Sequence, residues 1–202
     1  MEEQERIYFI SLIGDKGIGK TSAIKSFMQE EKSNTNIDQK NMLIDEKIPV
    51  KLIIPEIDGN TLNEESYKML KNSDAIYMVC DITKISSFMN IKKKYCSVCK
   101  RNRKKGALIS ILTTKHDLMQ TEAQYSFDDI DIFSDKEDLN PFNSSCTIKN
   151  PKMINNCFEK IGRVLYNSEK LKGNFDKENE EFKEKKEELK NKNKKSKNCL
   201  VF

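Results

Sequence analysis

One histidine, His116, is all that the 202-residue chain contains. The six cysteines, Cys80, Cys96, Cys99, Cys146, Cys157 and Cys199, therefore have almost no imidazole to complete a metal site with. Cys96 and Cys99 form a C-x-x-C, but no second pair follows, so ordinary helix thiols are the better account than zinc or redox chemistry. No stretch of about 18 apolar residues occurs, which excludes a membrane-spanning helix. The opening "MEEQERIYFISLIG" starts acidic and carries too short an apolar run for a secretion signal, so a cytosolic protein is expected. The net charge of +4 is too small to imply a nucleic-acid partner. Charged residues make up 34% of the chain, and much of the excess over an ordinary domain lies after Gly173. What precedes that point is long enough to bury a core.

What the chain does have is "GDKGIGKT", Gly14 to Thr21, which matches G-x-x-x-x-G-K-[ST]. It follows "RIYFISLI", one buried strand long, and precedes "KTSAIKSFMQEE", whose Ala23, Ile24, Phe27 and Met28 are spaced as on a helix. A strand, a glycine turn and a helix N-terminus aim backbone N–H groups at phosphates. Gly14 and Gly19 let the backbone turn and approach closely. Asp15, Lys16, Gly17, Ile18 and Ser22 complete the cradle. Lys20 reaches the β- and γ-phosphates, and the Thr21 hydroxyl suits Mg²⁺. A plain glycine turn with a surface lysine is the bland alternative, and the flanking elements argue against it.

Beyond the loop the pattern alternates. A hairpin is expected from a short strand near Met42–Ile44 and a longer one near Val50–Ile54. "LNEESYKMLKNS" reads as an amphipathic helix. "DAIYMVCDI" reads as a strand buried on both faces. "SSFMNIKKKYCSVCKRNRKK" reads as a helix with a basic end, and "ALISILTT" as another buried strand. "FDDIDIFSDKEDLN" reads as acidic and irregular. A weak strand around Phe142–Thr147 leads to the helix "PKMINNCFEKIGRVLY". This order predicts an α/β fold with a mostly parallel six-stranded sheet and helices on both faces.

"TTKHDL", directly after the strand that ends at Leu112, resembles the guanine-recognition motif [NT]-K-x-D of Ras-superfamily GTPases. The resemblance extends over about residues 6–168. It implies that Asp117 accepts hydrogen bonds from guanine N1 and N2, and that Lys115 lays its stem along the base. Adenine offers no such donor pair, so the carboxylate would be left unpaired against it. Thr114 stands where most members have Asn; Rho-type members also use Thr there. His116 fills the free position and reads as surface. Thr147, Ile148 and Lys149 are similar to the S-A-K loop, with the Ile148 N–H implied to meet the guanine carbonyl; a plain strand-to-helix turn stays open there. "DITKISSFMNIKKKY" looks most like the septum-promoting branch, although Ras, Rab and Rho members share the framework.

The switch region departs from the family. Its D-x-x-G appears as "PEIDGN", so Glu56 replaces the Asp that holds Mg²⁺ through water, and Gly59 is the glycine that meets the γ-phosphate. Asn60 stands in place of the Gln that orients the attacking water. Asn is one carbon shorter, and Lys16 adds bulk in the loop. Thr35 is the candidate switch threonine on the metal and γ-phosphate, or else a plain loop threonine. Catalysis would rest on Lys20, Gly59 and Asn60, with Mg²⁺ held by Thr21, Thr35 and, through water, Glu56. Slow hydrolysis is the expectation, and a pseudo-GTPase that holds GTP or GDP as a scaffold is the alternative.

The chain closes on "KNKNKKSKNCLVF". Cys199-Leu200-Val201-Phe202 fits C-a-a-X, with a terminal Phe favouring geranylgeranyl. Five lysines between Lys190 and Lys197 supply the second signal that one lipid chain needs at an anionic surface. The expectation is a GTPase domain over residues 1–172 and a flexible basic tail over 173–202. Such a protein would sit at the cytoplasmic face of a membrane with a cytosolic pool. Exchange factors, GTPase-activating proteins and effectors are the implied partners, with no nucleic acid.

Overall fold

A computed structural model of the chain describes residues 6–28, 39–44 and 47–171. Thr35, Cys199 and the basic tail lie outside them. The chain divides into two units at Arg163–Val164. The first carries everything below; the described residues of the second, 164–171, are helical.

β1 (Arg6–Gly14) delivers the chain to the phosphate-loop sequence, and α1 (Lys20–Met28) starts at its lysine. β2 (Gln39–Ile44) and β3 (Ile48–Ile53) form the expected antiparallel hairpin, with Met42 opposite Val50. Pro55 then breaks the strand, because it has no N–H to add to the ladder. Its carbonyl still accepts from the Leu12 N–H at 3.0 Å. The ladder resumes on β1 as β4 (Glu56–Asp58), a strand too short to show as a period in sequence.

Across the sheet the order is β2-β3-β1-β5-β6-β7, with β4 prolonging the β3 position against β1. β5 is Ala75–Asp81, β6 is Leu108–Thr114 and β7 is only Ser144–Ser145. Every neighbouring pair apart from β2 with β3 is parallel. All seven residues of β5 are buried, as a central strand covered on both faces requires. On one face α1 meets α7 (151–163 of the first unit) through the rings of Phe27 and Phe158, 4.4 Å apart. Tyr77 of β5 sets its ring edgewise on Phe158 at 6.4 Å.

The other face is covered by α2 (Glu64–Asn72), α3 (Ile85–Asn90), α4 (Cys96–Asn102) and α6 (Phe127–Lys136), which bury Leu70, Phe88, Cys99, Ile130 and Phe133. α5 is the single turn Met119–Glu122. Between α3 and α4 the helix widens into a π turn, Ile91–Tyr95, where the Cys96 N–H donates to the Ile91 carbonyl five residues back. The sequence pattern shows one helix there and not its wide turn. Cys96 and Cys99 are both buried in it, and burial pushes the Cys96 thiol up to about 11. Inert helix thiols fit that setting.

The acidic stretch read as irregular is α6. Its N-terminus is a capping box: the Asp129 N–H donates to Ser126 Oγ at 3.1 Å, and the Ser126 N–H donates to Asp129 Oδ2 at 2.8 Å. Ile130 and Phe133 lie on its inner face, and the aspartates turn outward. The abundance of acids hides a short but ordinary amphipathic helix.

Candidate functional site

The carboxyl ends of β1 and β6, the start of β4 and the loop after β7 surround one cleft of about 420 Å³. Gly17, Gly19, Lys20, Thr21 and Ser22 line it from the glycine loop. Thr114, Lys115 and Asp117 line it from the end of β6, and Thr147, Ile148 and Lys149 from the loop after β7. Three motifs separated by up to about 130 residues in the chain thus share a single site. Glu56 joins them from β4. Gly14, Asp15, Lys16, Ile18, Gly59 and Asn60 do not line the cleft.

The loop is shaped for phosphates. Gly17 and Gly19 take φ of 77° and 101°, in the left-handed region that favours glycine. Lys20 is buried and donates to the carbonyls of Gly14 at 2.9 Å and Asp15 at 2.7 Å. Burial draws its ammonium pKa down, and the carboxylates of Glu56 and Asp58 oppose that. Thr114 explains itself as a substitute for Asn. Its hydroxyl lies 2.5 Å from the Ile18 carbonyl and 3.1 Å from that of Cys80, so it ties the loop to β5 and β6.

At the opposite end of the cleft Asp117 is already engaged. Thr147 Oγ1 donates to its Oδ1 at 2.6 Å and Lys149 Nζ lies 2.7 Å from Oδ2. The Lys149 ammonium and then the Thr147 hydroxyl hold the Asp117 carboxyl below its usual range, so it stays an acceptor. Thr147 and Lys149 therefore orient the group that would read a base edge. Lys115 sits at φ 59° and extends its Nζ to 2.7 Å from Asp81 Oδ2. His116 is half-buried where the sequence suggests surface, because its ring stacks on Phe127 at 5.8 Å. It does not line the cleft.

Glu56 reaches the Thr21 end of the cleft. Its carboxylate accepts from the Thr21 hydroxyl at 2.7 and 3.0 Å, and Lys20 Nζ lies 3.6 Å away. The extra methylene relative to Asp lets the side chain touch Thr21 directly. Among the described residues no group of three or more His, Cys, Asp or Glu is placed to hold a metal. A hydroxyl and one carboxylate beside a phosphate cradle suit Mg²⁺, which takes one or two protein oxygens and completes its shell with phosphates and water.

Gly59 and Asn60 are held elsewhere. The Gly59 N–H donates to the Gly14 carbonyl at 3.0 Å, and the Asn60 N–H to Asp58 Oδ1 at 2.9 Å. Asp15 turns its side chain away from the cleft: Asn90 Nδ2 donates to its Oδ2 at 2.9 Å and the Tyr95 hydroxyl donates to its Oδ1.

Sequence reasoning missed Asp81, Asn90 and Tyr95. Asp81 carried a signal, since an acid closing a fully buried strand is costly unless paired. Its carboxyl accepts from the Thr83 N–H at 3.0 Å and hydroxyl at 2.7 Å. Burial alone would raise its pKa; Lys115 and Thr83 outweigh burial and hold it below the usual range.

A glycine loop after the first strand and a T-K-x-D after the sixth, facing each other across one cleft, define a nucleotide-binding protein of the P-loop class. The Ras family model matches residues 10–167, and the chain belongs to the Ras family. It is thus a small GTPase domain, a class of GTP-binding switch with GTPase activity in general. A search among curated proteins finds no match.

Proposed function

We propose that the protein is a membrane-anchored switch that binds GTP and GDP selectively and hydrolyses GTP slowly without help. The convergence of the glycine loop, the T-K-x-D and Thr147–Lys149 on one cleft carries this reading. Asp117, oriented by Thr147 and Lys149, discriminates the base. Lys20 and the loop N–H groups neutralise the phosphates. Thr21 and, through water, Glu56 would hold Mg²⁺, which would supply charge neutralisation at the phosphates. Asn60 is the group available to position water. Its place outside the cleft and its short side chain support slow turnover. The GTP form orders the segment around Gly59, hydrolysis releases it, and effectors read the difference. Prenylated Cys199 and the lysines before it hold the protein at the cytoplasmic face of a membrane.

Competition between GTP and ATP for the purified protein tests the base assignment. GTP should win by at least about 100-fold, because a site built to pair donors loses strongly when they are absent. Asp117→Ala should abolish that preference; equal affinities in wild type would overturn the assignment. Single-turnover cleavage at the rate of an activated GTPase would refute slow hydrolysis. Cys199→Ser should move the protein from membranes to cytosol, and retention on membranes would rule out prenylation as the anchor.

A second reading, a pseudo-GTPase scaffold, is favoured by the direct contact of Glu56 with Thr21. It requires one unchanging nucleotide state after prolonged incubation with GTP and Mg²⁺. Appearance of GDP over that time excludes it.

A further inference from the structure

Segment 58–60 is fastened to the glycine loop and to the π turn by contacts that binding and hydrolysis do not use. Tyr95 is buried, and its ring lies so close over Gly59 that a Cβ there would be 2.5 Å from Cε1 and Cζ. Its hydroxyl donates to Asp15 Oδ1 and stands 3.4 Å from Asn60 Oδ1. One hydroxyl has one proton, and the ionised acceptor is the stronger partner. Burial, and then the Asp15 carboxylate, raise the phenol's pKa, so it stays a donor. Lys94, the preceding residue, donates its ammonium to the Gly59 carbonyl at 2.7 Å. Adjacent residues of a helix ordinarily point well apart; the π turn at Ile91–Tyr95 is where two of them reach one glycine. Asn90 supplies the second bond to Asp15.

We propose that Lys94 and Tyr95 form a clasp that holds Gly59 against Gly14 and Asp15, and that Tyr95 is thereby a positioning residue setting the preference between GDP and GTP. The inference rests on the guanine-nucleotide switch reading given above. With the clasp closed, the Gly59 N–H is committed to the Gly14 carbonyl. A γ-phosphate that orders this segment must first draw that N–H away, so the clasp opposes triphosphate and leaves diphosphate unopposed. The bias equals the difference in clasp strength between the two conformations.

Affinities of the full-length chain for a fluorescent GDP and a fluorescent non-hydrolysable GTP analogue, both with Mg²⁺, test this. Tyr95→Phe keeps the ring over Gly59 and removes the hydroxyl. It should shift the affinity ratio about tenfold toward the triphosphate, as loss of one charge-assisted hydrogen bond implies. Lys94→Ala, at an exposed side chain, should shift it the same way by about threefold. A merely structural role would weaken both ligands together and leave the ratio still. A ratio within twofold of wild type in both variants overturns the clasp, and so does a shift toward GDP. If wild type binds neither guanine nucleotide, the switch reading itself falls, and the clasp falls with it.

Discussion

Asp81→Asn tests how Lys115, the lysine proposed to lie along the base, is held. The Asp81 carboxylate is fully buried and faces three donors: its Oδ1 accepts from the Thr83 N–H at 3.0 Å and the Thr83 hydroxyl at 2.7 Å, and its Oδ2 forms an ion pair with Lys115 Nζ at 2.7 Å. Asparagine has the same size but only one accepting oxygen. Whichever way its amide is turned, its NH₂ faces a donor. The loss is one charge-assisted hydrogen bond, about 2 kcal/mol. For a domain of this length that corresponds to a fall in Tm of about 4–8 °C. Lys115 keeps its left-handed backbone but loses the partner that fixes its stem, so GDP should bind about tenfold more weakly. The pH dependence has a definite sign. The folded carboxyl is held below its unfolded value, near 4, so its contribution is complete above that value and fades as pH falls through the lower, folded one. Asp81→Asn should remove that part of the acid limb. Thermal melts from pH 3 to 7 and titration with fluorescent GDP measure both effects. A variant with wild-type Tm, acid limb and GDP affinity would refute the reasoning.

Gly59→Ala should place a methyl into the Tyr95 ring and cost about 1–3 kcal/mol, seen as a Tm lower by several degrees; Tyr95→Ala in the same chain should recover part of it. Ser126→Ala removes the cap of α6 and should lower Tm by about 2–4 °C without changing nucleotide affinity. Glu56→Gln takes a negative charge from beside Thr21 and Lys20 and should raise the Mg²⁺ concentration needed for half-maximal GTP binding by about threefold or more, read by metal titration.

The parts of the site legible in sequence are those whose chemistry is local. Gly14 to Thr21 announces itself because strand, glycine turn and helix are contiguous. Asp117 does so because an acid follows Lys115 at a fixed spacing just beyond a buried strand. α6 was hidden by composition: its aspartates are as many as its apolar residues, and the S-x-x-D box at Ser126–Asp129 is a weak signal beside them. β4 was hidden by Pro55, which ends the strand pattern one residue before pairing resumes. Asp81 appeared as the end of an apolar run, because its partner Lys115 lies far along the chain. Tyr95 and Asn90 gave no hint. Their stretch reads only as a helix with a basic end, and Asp15, 80 residues from Tyr95, meets it only when the sheet has assembled.

Pro55 has a mechanical consequence. A continuous parallel strand from Val50 to Asp58 would transmit any slide of its far end into the β2–β3 hairpin through an unbroken row of amides. At Pro55 that row lacks a donor and the chain is stiff in φ. Glu56, Ile57 and Asp58 answer to β1 and to the clasp at Gly59, while the hairpin keeps its own register. A displacement of Glu56 therefore reaches the sheet edge through the covalent link at Ile54–Pro55 and through β1, which both segments share, and not along a row of β3 amides.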